Sequence, residues 1–176
     1  MMTPALFSVS YAGLWGQHKL DIPAFIAKAA ALGYPAVELM GKAPHLSPWN
    51  IKDHDVAQIK ECAAKHHVEI ATIAGYTDFT TGKTTAEVPF REMQIAYVQA
   101  LAKVAAQLGA KMVRVFTGYA TTENAYLEDW EKCVSAIREC AKVAEDSGVI
   151  LGVQNHHDTA ISCDAYIEFL HDVNHP

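Results

Sequence analysis

The chain has 176 residues, of which 51% are hydrophobic and 19% charged, with a formal net charge of -6. That is the composition of a folded globular domain with enough apolar residues for one core. It argues against two partners: no Lys/Arg stripe offers a nucleic-acid footprint, and no apolar run approaches the roughly 20 residues that span a bilayer.

The predicted elements alternate between two periods. "ALFSVSYAG" (residues 5–13) reads as a strand. "DIPAFIAKAAALG" (21–33) reads as a helix that Asp21 can cap and Gly33 can end. "AVELMG" (36–41) is a strand. Residues 53 to about 66 are helical, with Val56, Ile59 and Ala63 on one face. "VEIATIAGYT" (68–77) is a strand, followed by the polar loop "DFTTGKTTAE". A long helix is predicted from about Val88 to Leu108, with an apolar stripe of Phe90, Met93, Tyr97, Leu101, Val104 and Leu108. "KMVRVFTG" (111–118) is a strand. The next helix carries Leu127, Trp130, Val134, Ile137, Ala141 and Ala144 at the same spacings. "VILGVQNHH" (149–157) is a strand, and Ser162 to about Val173 is a helix.

Strict strand–helix alternation implies an α/β fold of parallel strands joined by right-handed crossovers. Two closures suit such a chain: an open doubly wound sheet, or a (β/α)8 barrel, which needs eight units and about 250 residues. In both, function collects at the carboxyl ends of the strands. The long polar segments here do follow the strands. "YAGLWG" after the first strand lacks G-x-G-x-x-G spacing, which argues against a nucleotide-binding open sheet. "GKT" (82–84) imitates a phosphate loop, but Gly75 and Gly82 are too far apart for that motif, so it reads as a loop.

Side chains alternate between the faces of a strand, which sorts the candidate residues. If Val37 and Leu39 face the helices, Glu38 faces the opposite side. By the same parity Arg114, Gln154 and His156 share the inner face, whereas His157 is turned away. A structural ion pair between Glu38 and Arg114 is one reading of those two; a pair that orients substrate is the other. Trp15, Trp49 and Tyr76 lie in loops at the strand ends, where rings often wall a pocket. His18, His45, Asp78, Glu123 and Asp158 are loop polar residues. Cys62, Cys133, Cys140 and Cys163 show no CxxC spacing and read as free thiols in a reducing compartment. No basic region followed by an apolar stretch opens the chain, so no signal peptide and a cytoplasmic location are expected.

Three stretches carry a resemblance: "LGYPAVEL" (32–39), "LGAKMVRVFTG" (108–118) and "SGVILGVQNHHDT" (147–159). They resemble the sugar phosphate isomerase/epimerase family, whose xylose isomerase-like TIM barrel is shared with endonuclease IV-type enzymes. The resemblance runs the length of the chain and covers about five of eight β/α units. It implies one partial barrel domain over residues 1–176, truncated before strand six. It also implies a divalent metal (Mn, Mg or Zn) in the full-length protein, polarising a sugar carbonyl while carboxylates move a proton. One family metal ligand is a Glu ending the fifth strand, in a stretch like "xxxENH". Here that position is Gln154, whose neutral amide ligates only weakly through oxygen and cannot act as a base. The remaining ligands come from later strands, so no cofactor is assured for this chain.

The expected activity is sugar, sugar phosphate or polyol isomerisation or epimerisation. His156 and Glu38 are the catalytic candidates, Arg114, Trp15, His45 and Tyr76 the substrate-binding candidates, and Gln154 a weak metal ligand. The alternative is a non-catalytic sugar-binding module in which Gln154 replaces the metal-binding Glu. A repair nuclease of the same superfamily is disfavoured by the net charge. The expected partner is a small sugar or polyol, with no nucleic acid and no membrane. Unpaired edges of strands one and five are expected to favour homo-oligomers.

Overall fold

In a computed structural model, residues 3–81, 87–120, 122 and 125–175 are described. The "GKT" loop and Glu123 lie outside them. The element order is β1 (Ala5–Phe7), a short 3-10 turn (Ser8–Tyr11), α1 (Ile22–Ala31), β2 (Ala36–Met40), α2 (Asp53–His66), β3 (Glu69–Ala74), α3 (Phe90–Leu108), β4 (Met112–Phe116), α4 (Tyr126–Glu145), β5 (Ile150–Gln154) and α5 (Cys163–Val173).

The strands pair in chain order, β1-β2-β3-β4-β5, and every pair is parallel. A doubly wound sheet reverses its strand order at a switch point; this one never does, so the helices share one face. The result is the wall of a (β/α) barrel, five units of it.

Local chemistry accounts for the boundaries. Asp21 caps α1 by accepting the Ala24 amide at 2.8 Å, and Gly33 takes φ 82° just beyond the helix. Ser162 caps α5 in the same way. The first strand stops at Phe7, earlier than its apolar pattern suggests. There Ser8 is buried, its Oγ accepting the Met40 amide at 2.8 Å, and the chain turns.

The core lies between the sheet and the helices. Val37, Leu39, Ile73, Val113 and Val115 pack there against Phe25, Ile26, Leu101, Ile137 and Phe169, all at most 1% exposed. Each such side chain contributes roughly 1.5–3 kcal/mol relative to an exposed one. The α3 stripe is only half core. Leu101, Val104 and Leu108 are buried with Val98, Ala102 and Ala105, but Met93 is 46% exposed. The start of the α4 stripe differs too: Leu127 is 72% exposed, and burial begins further along, at Asp129, Cys133 and Val134. All four cysteines are free, and burial pushes the thiols of Cys133 and Cys140 up to about 12. Among the described residues, no helix is long and apolar enough to cross a membrane.

Candidate functional site

With Val37, Leu39, Val113 and Val115 committed to the core, alternation turns Glu38 and Arg114 to the sheet's other face. There they meet: Arg114 Nε donates to Glu38 Oε1 at 3.2 Å, across 76 residues of chain. Arg114 Nη1 also donates to the Gly75 carbonyl at 3.2 Å. Both side chains are largely removed from solvent, 12% exposed for Arg114 and 24% for Glu38.

Three rings surround the guanidinium, whose Cζ lies 4.4 Å from the Phe116 centroid, 5.5 Å from Phe7 and 5.8 Å from Tyr76. The flat cation gains from the ring faces and is fixed by them. Phe7 is the register partner of Glu38, and Phe116 follows Arg114 by one pleat. Strand parity is the signal that names both rings, since each lies on the inner face of its strand.

Tyr76 closes the group. Its ring meets Phe116 edge-on at 6.0 Å, and its hydroxyl is buried without a hydrogen-bond partner among the described residues. Burial raises its pKa, which keeps the phenol protonated. Its backbone N–H donates to the Tyr97 hydroxyl at 3.2 Å, and that hydroxyl donates to the Gly41 carbonyl at 2.7 Å. Tyr97 thereby ties the ends of β2 and β3 to α3.

At the end of β5 the alternation lapses. Gln154 is the last strand residue, in register with Phe116, and is exposed. Beyond it, His156 and His157 both lie against Phe116, at 4.7 and 4.5 Å between centroids, and their Nδ1 atoms are 2.9 Å apart. One of the two imidazoles must donate and the other accept. His156 is exposed, whereas His157 is buried and stacked on Tyr119 at 3.9 Å. The expectation that His157 turns away is therefore corrected: parity ends with the strand, and a turn brings both rings to one side. Burial lowers the pKa of His157 first, the charge of His156 second.

Two other candidates are placed elsewhere. His45 Nδ1 meets Ser8 Oγ at 3.0 Å, and its Nε2 meets the Leu20 carbonyl at 3.0 Å. Ser8 already accepts the Met40 amide, so its hydroxyl donates to Nδ1 and His45 donates from Nε2. Both nitrogens are spent on holding β1, β2 and the segment before α1 together, which leaves none for a substrate. Trp15 is 76% exposed, and its backbone amide donates to Gln17. No described ring contact joins it to the Arg114 group. Asp78 accepts from the amide and hydroxyl of Thr80, and Asp158 from the amide of Ala120; both brace loops.

A metal would need converging donors. Among the described residues no group of three or more His, Cys, Asp or Glu side chains could hold one. Gln154 is neutral, and His156 spends Nδ1 on its neighbour. These donors do not fit a divalent cation.

The fold is shared with known structures. The probable 3-DHS dehydratase AsbF involved in petrobactin synthesis from Bacillus anthracis superposes with a TM-score of 0.78 at 18% identity, covering 99% of this chain and 60% of that one. D-psicose 3-epimerase from Clostridium cellulolyticum H10, solved with D-tagatose, gives 0.76 at 21%, covering 99% and 61%. The IOLI protein, solved with a bound zinc atom, gives 0.76 at 16%, covering 99% and 60%. The chain thus spans about three fifths of these neighbours, and at such identities the likeness is one of fold. No curated protein matches the chain. The family model for the xylose isomerase-like TIM barrel matches residues 26–176, and the parallel, singly wound sheet agrees with it. The chain belongs to the xylose isomerase-like TIM barrel family.

Proposed function

We propose that the inner face of the sheet, at the carboxyl ends of β2 to β5, binds a sugar or polyol as part of an isomerase or epimerase site. The observation that carries this reading is the Glu38–Arg114 pair, caged by Phe7, Tyr76 and Phe116 on the face away from the core. A fixed carboxylate and a fixed guanidinium supply an acceptor and donors to hydroxyls and a carbonyl, and rings suit the apolar face of a sugar. Epimerases such as D-psicose 3-epimerase from Clostridium cellulolyticum H10 among the structural neighbours support the same substrate class. His156, exposed beside Phe116, stands where a proton could be taken or returned.

A second reading rests on Gln154. A neutral amide at the end of β5 suits holding a sugar better than abstracting a proton, which describes a binding module. One experiment separates the two: calorimetric binding and product analysis with the protein on a panel of aldoses, ketoses and polyols, with Mn2+ or Mg2+ added. Turnover supports the enzyme, binding without turnover supports the module, and neither on any sugar overturns the proposal.

A further inference from the structure

The N-terminal half of α3 left part of its apolar stripe out of the core, and that half walls a second cavity. The cavity is about 560 Å3, between α3 and the loop after β2, and Tyr76 is shared between its wall and the Arg114 cage. Trp49, Phe90, Met93 and Tyr97 make its sides. Trp49 is 64% exposed and sits 6.5 Å from Tyr97, the rings tilted by 41°.

Its free polar side chains are few, and two of them, the Lys42 ammonium and the Gln94 NH2, only donate. Lys42 Nζ lies 3.9 Å from the Tyr76 centroid, and among the described residues no carboxylate pairs with it. It is the one charged side chain on the described lining. Gln94 spends its oxygen on the Asp78 amide at 3.3 Å, which leaves its NH2. Ser47 adds a hydroxyl.

We infer that this cavity is a binding site for an aromatic carboxylate, its ring against Trp49 and Tyr97 and its carboxylate on Lys42. Three features select that chemistry. A single ammonium balances a monoanion, whereas a phosphate dianion would call for a second cation. A donor lining suits a group that only accepts. Broad apolar walls, with the Tyr97 hydroxyl already committed and the Tyr76 hydroxyl buried, leave the hydroxyls of a sugar acid largely unpaired, so a flat ring fits better. The site adjoins the inner-face sugar site at Tyr76, but its anchoring groups, Lys42 and Trp49, lie outside the Arg114 cage.

Benzoate, its neutral analogue benzamide, and glucuronate are the probes, titrated into the protein by calorimetry and by tryptophan emission. Benzoate is expected to bind saturably; benzamide should bind about tenfold more weakly, the size of one charge-assisted contact, and glucuronate more weakly than benzoate because it keeps the carboxylate but lacks the ring. Lys42→Met should cost a similar factor for benzoate and nothing for benzamide, and Trp49→Phe should remove most of the emission change. Sugar binding, measured on the same samples, should be unaffected by Lys42→Met. Benzamide equal to benzoate, glucuronate tighter than benzoate, or no saturable benzoate binding would each overturn the assignment. The benzamide comparison needs no variant, so it holds even if Lys42→Met misfolds.

Discussion

Arg114 has two attachments, the Glu38 carboxylate and the Gly75 carbonyl, and three rings around it. Its value to the fold lies mainly in what its loss would leave behind. Arg114→Met strands a largely buried carboxylate, and the expected cost is about 2 kcal/mol in urea denaturation, with loss of sugar binding. Glu38→Gln/Arg114→Met removes both charges and should recover part of that stability but none of the binding. A single variant as stable as the parent would mean that Glu38 does not rely on Arg114. Glu38 and Arg114 were legible from alternation alone, because their neighbours along each strand are so clearly apolar. His157 was not, since alternation has no hold on a residue beyond the last strand hydrogen bond. Nor was the role of His45, whose partners Ser8 and Leu20 are distant in the chain.

Among the elements, two of the joints are histidines. His45 ties β1 to the loop after β2, and His157 ties the end of β5 to Phe116 and Tyr119. In both, burial lowers the pKa from the ordinary 6.5. The unfolded chain therefore takes up these protons at a higher pH than the folded chain does. Their contribution to stability is complete above 6.5 and is lost as pH falls through the lower folded values. The thermal midpoint should drop as the solution is acidified below 6.5, read by calorimetry across that range. His45→Asn/His157→Asn should melt lower at neutral pH but show a flatter slope; an unchanged slope would assign the effect to other groups. The same scale explains α3. Its period of three and four marked a stripe correctly, but period says only that residues share a face, not what covers it. The sheet covers the face from Val98 onward, and a cavity meets the rest.

At the scale of the whole molecule, the singly wound sheet has two edges without a strand partner among the described residues: β1 pairs only with β2, and β5 only with β4. In β5, Ile150 is 61% exposed, and Ile167 and Leu170 of α5 are exposed as well. Unpaired strand edges with apolar neighbours favour association. Size-exclusion chromatography with light scattering is expected to show a concentration-dependent shift to larger species; a monomer at every concentration would count against it.

Composition, caps and period by themselves determined the order of elements, the parallel sheet and the faces of Glu38 and Arg114. These are local properties, set by neighbours within a few residues, where steric and hydrogen-bonding rules apply directly. The sequence left two closures open, and the strand order settled them as a barrel wall. Only the tertiary structure brought Phe7, Tyr76 and Phe116 around one guanidinium, spent both nitrogens of His45, and gathered Lys42, Trp49 and Tyr97 about a cavity. The reason is that such meetings join residues tens of positions apart. They follow from how the strands register and where the core runs out, and no short window of sequence contains either.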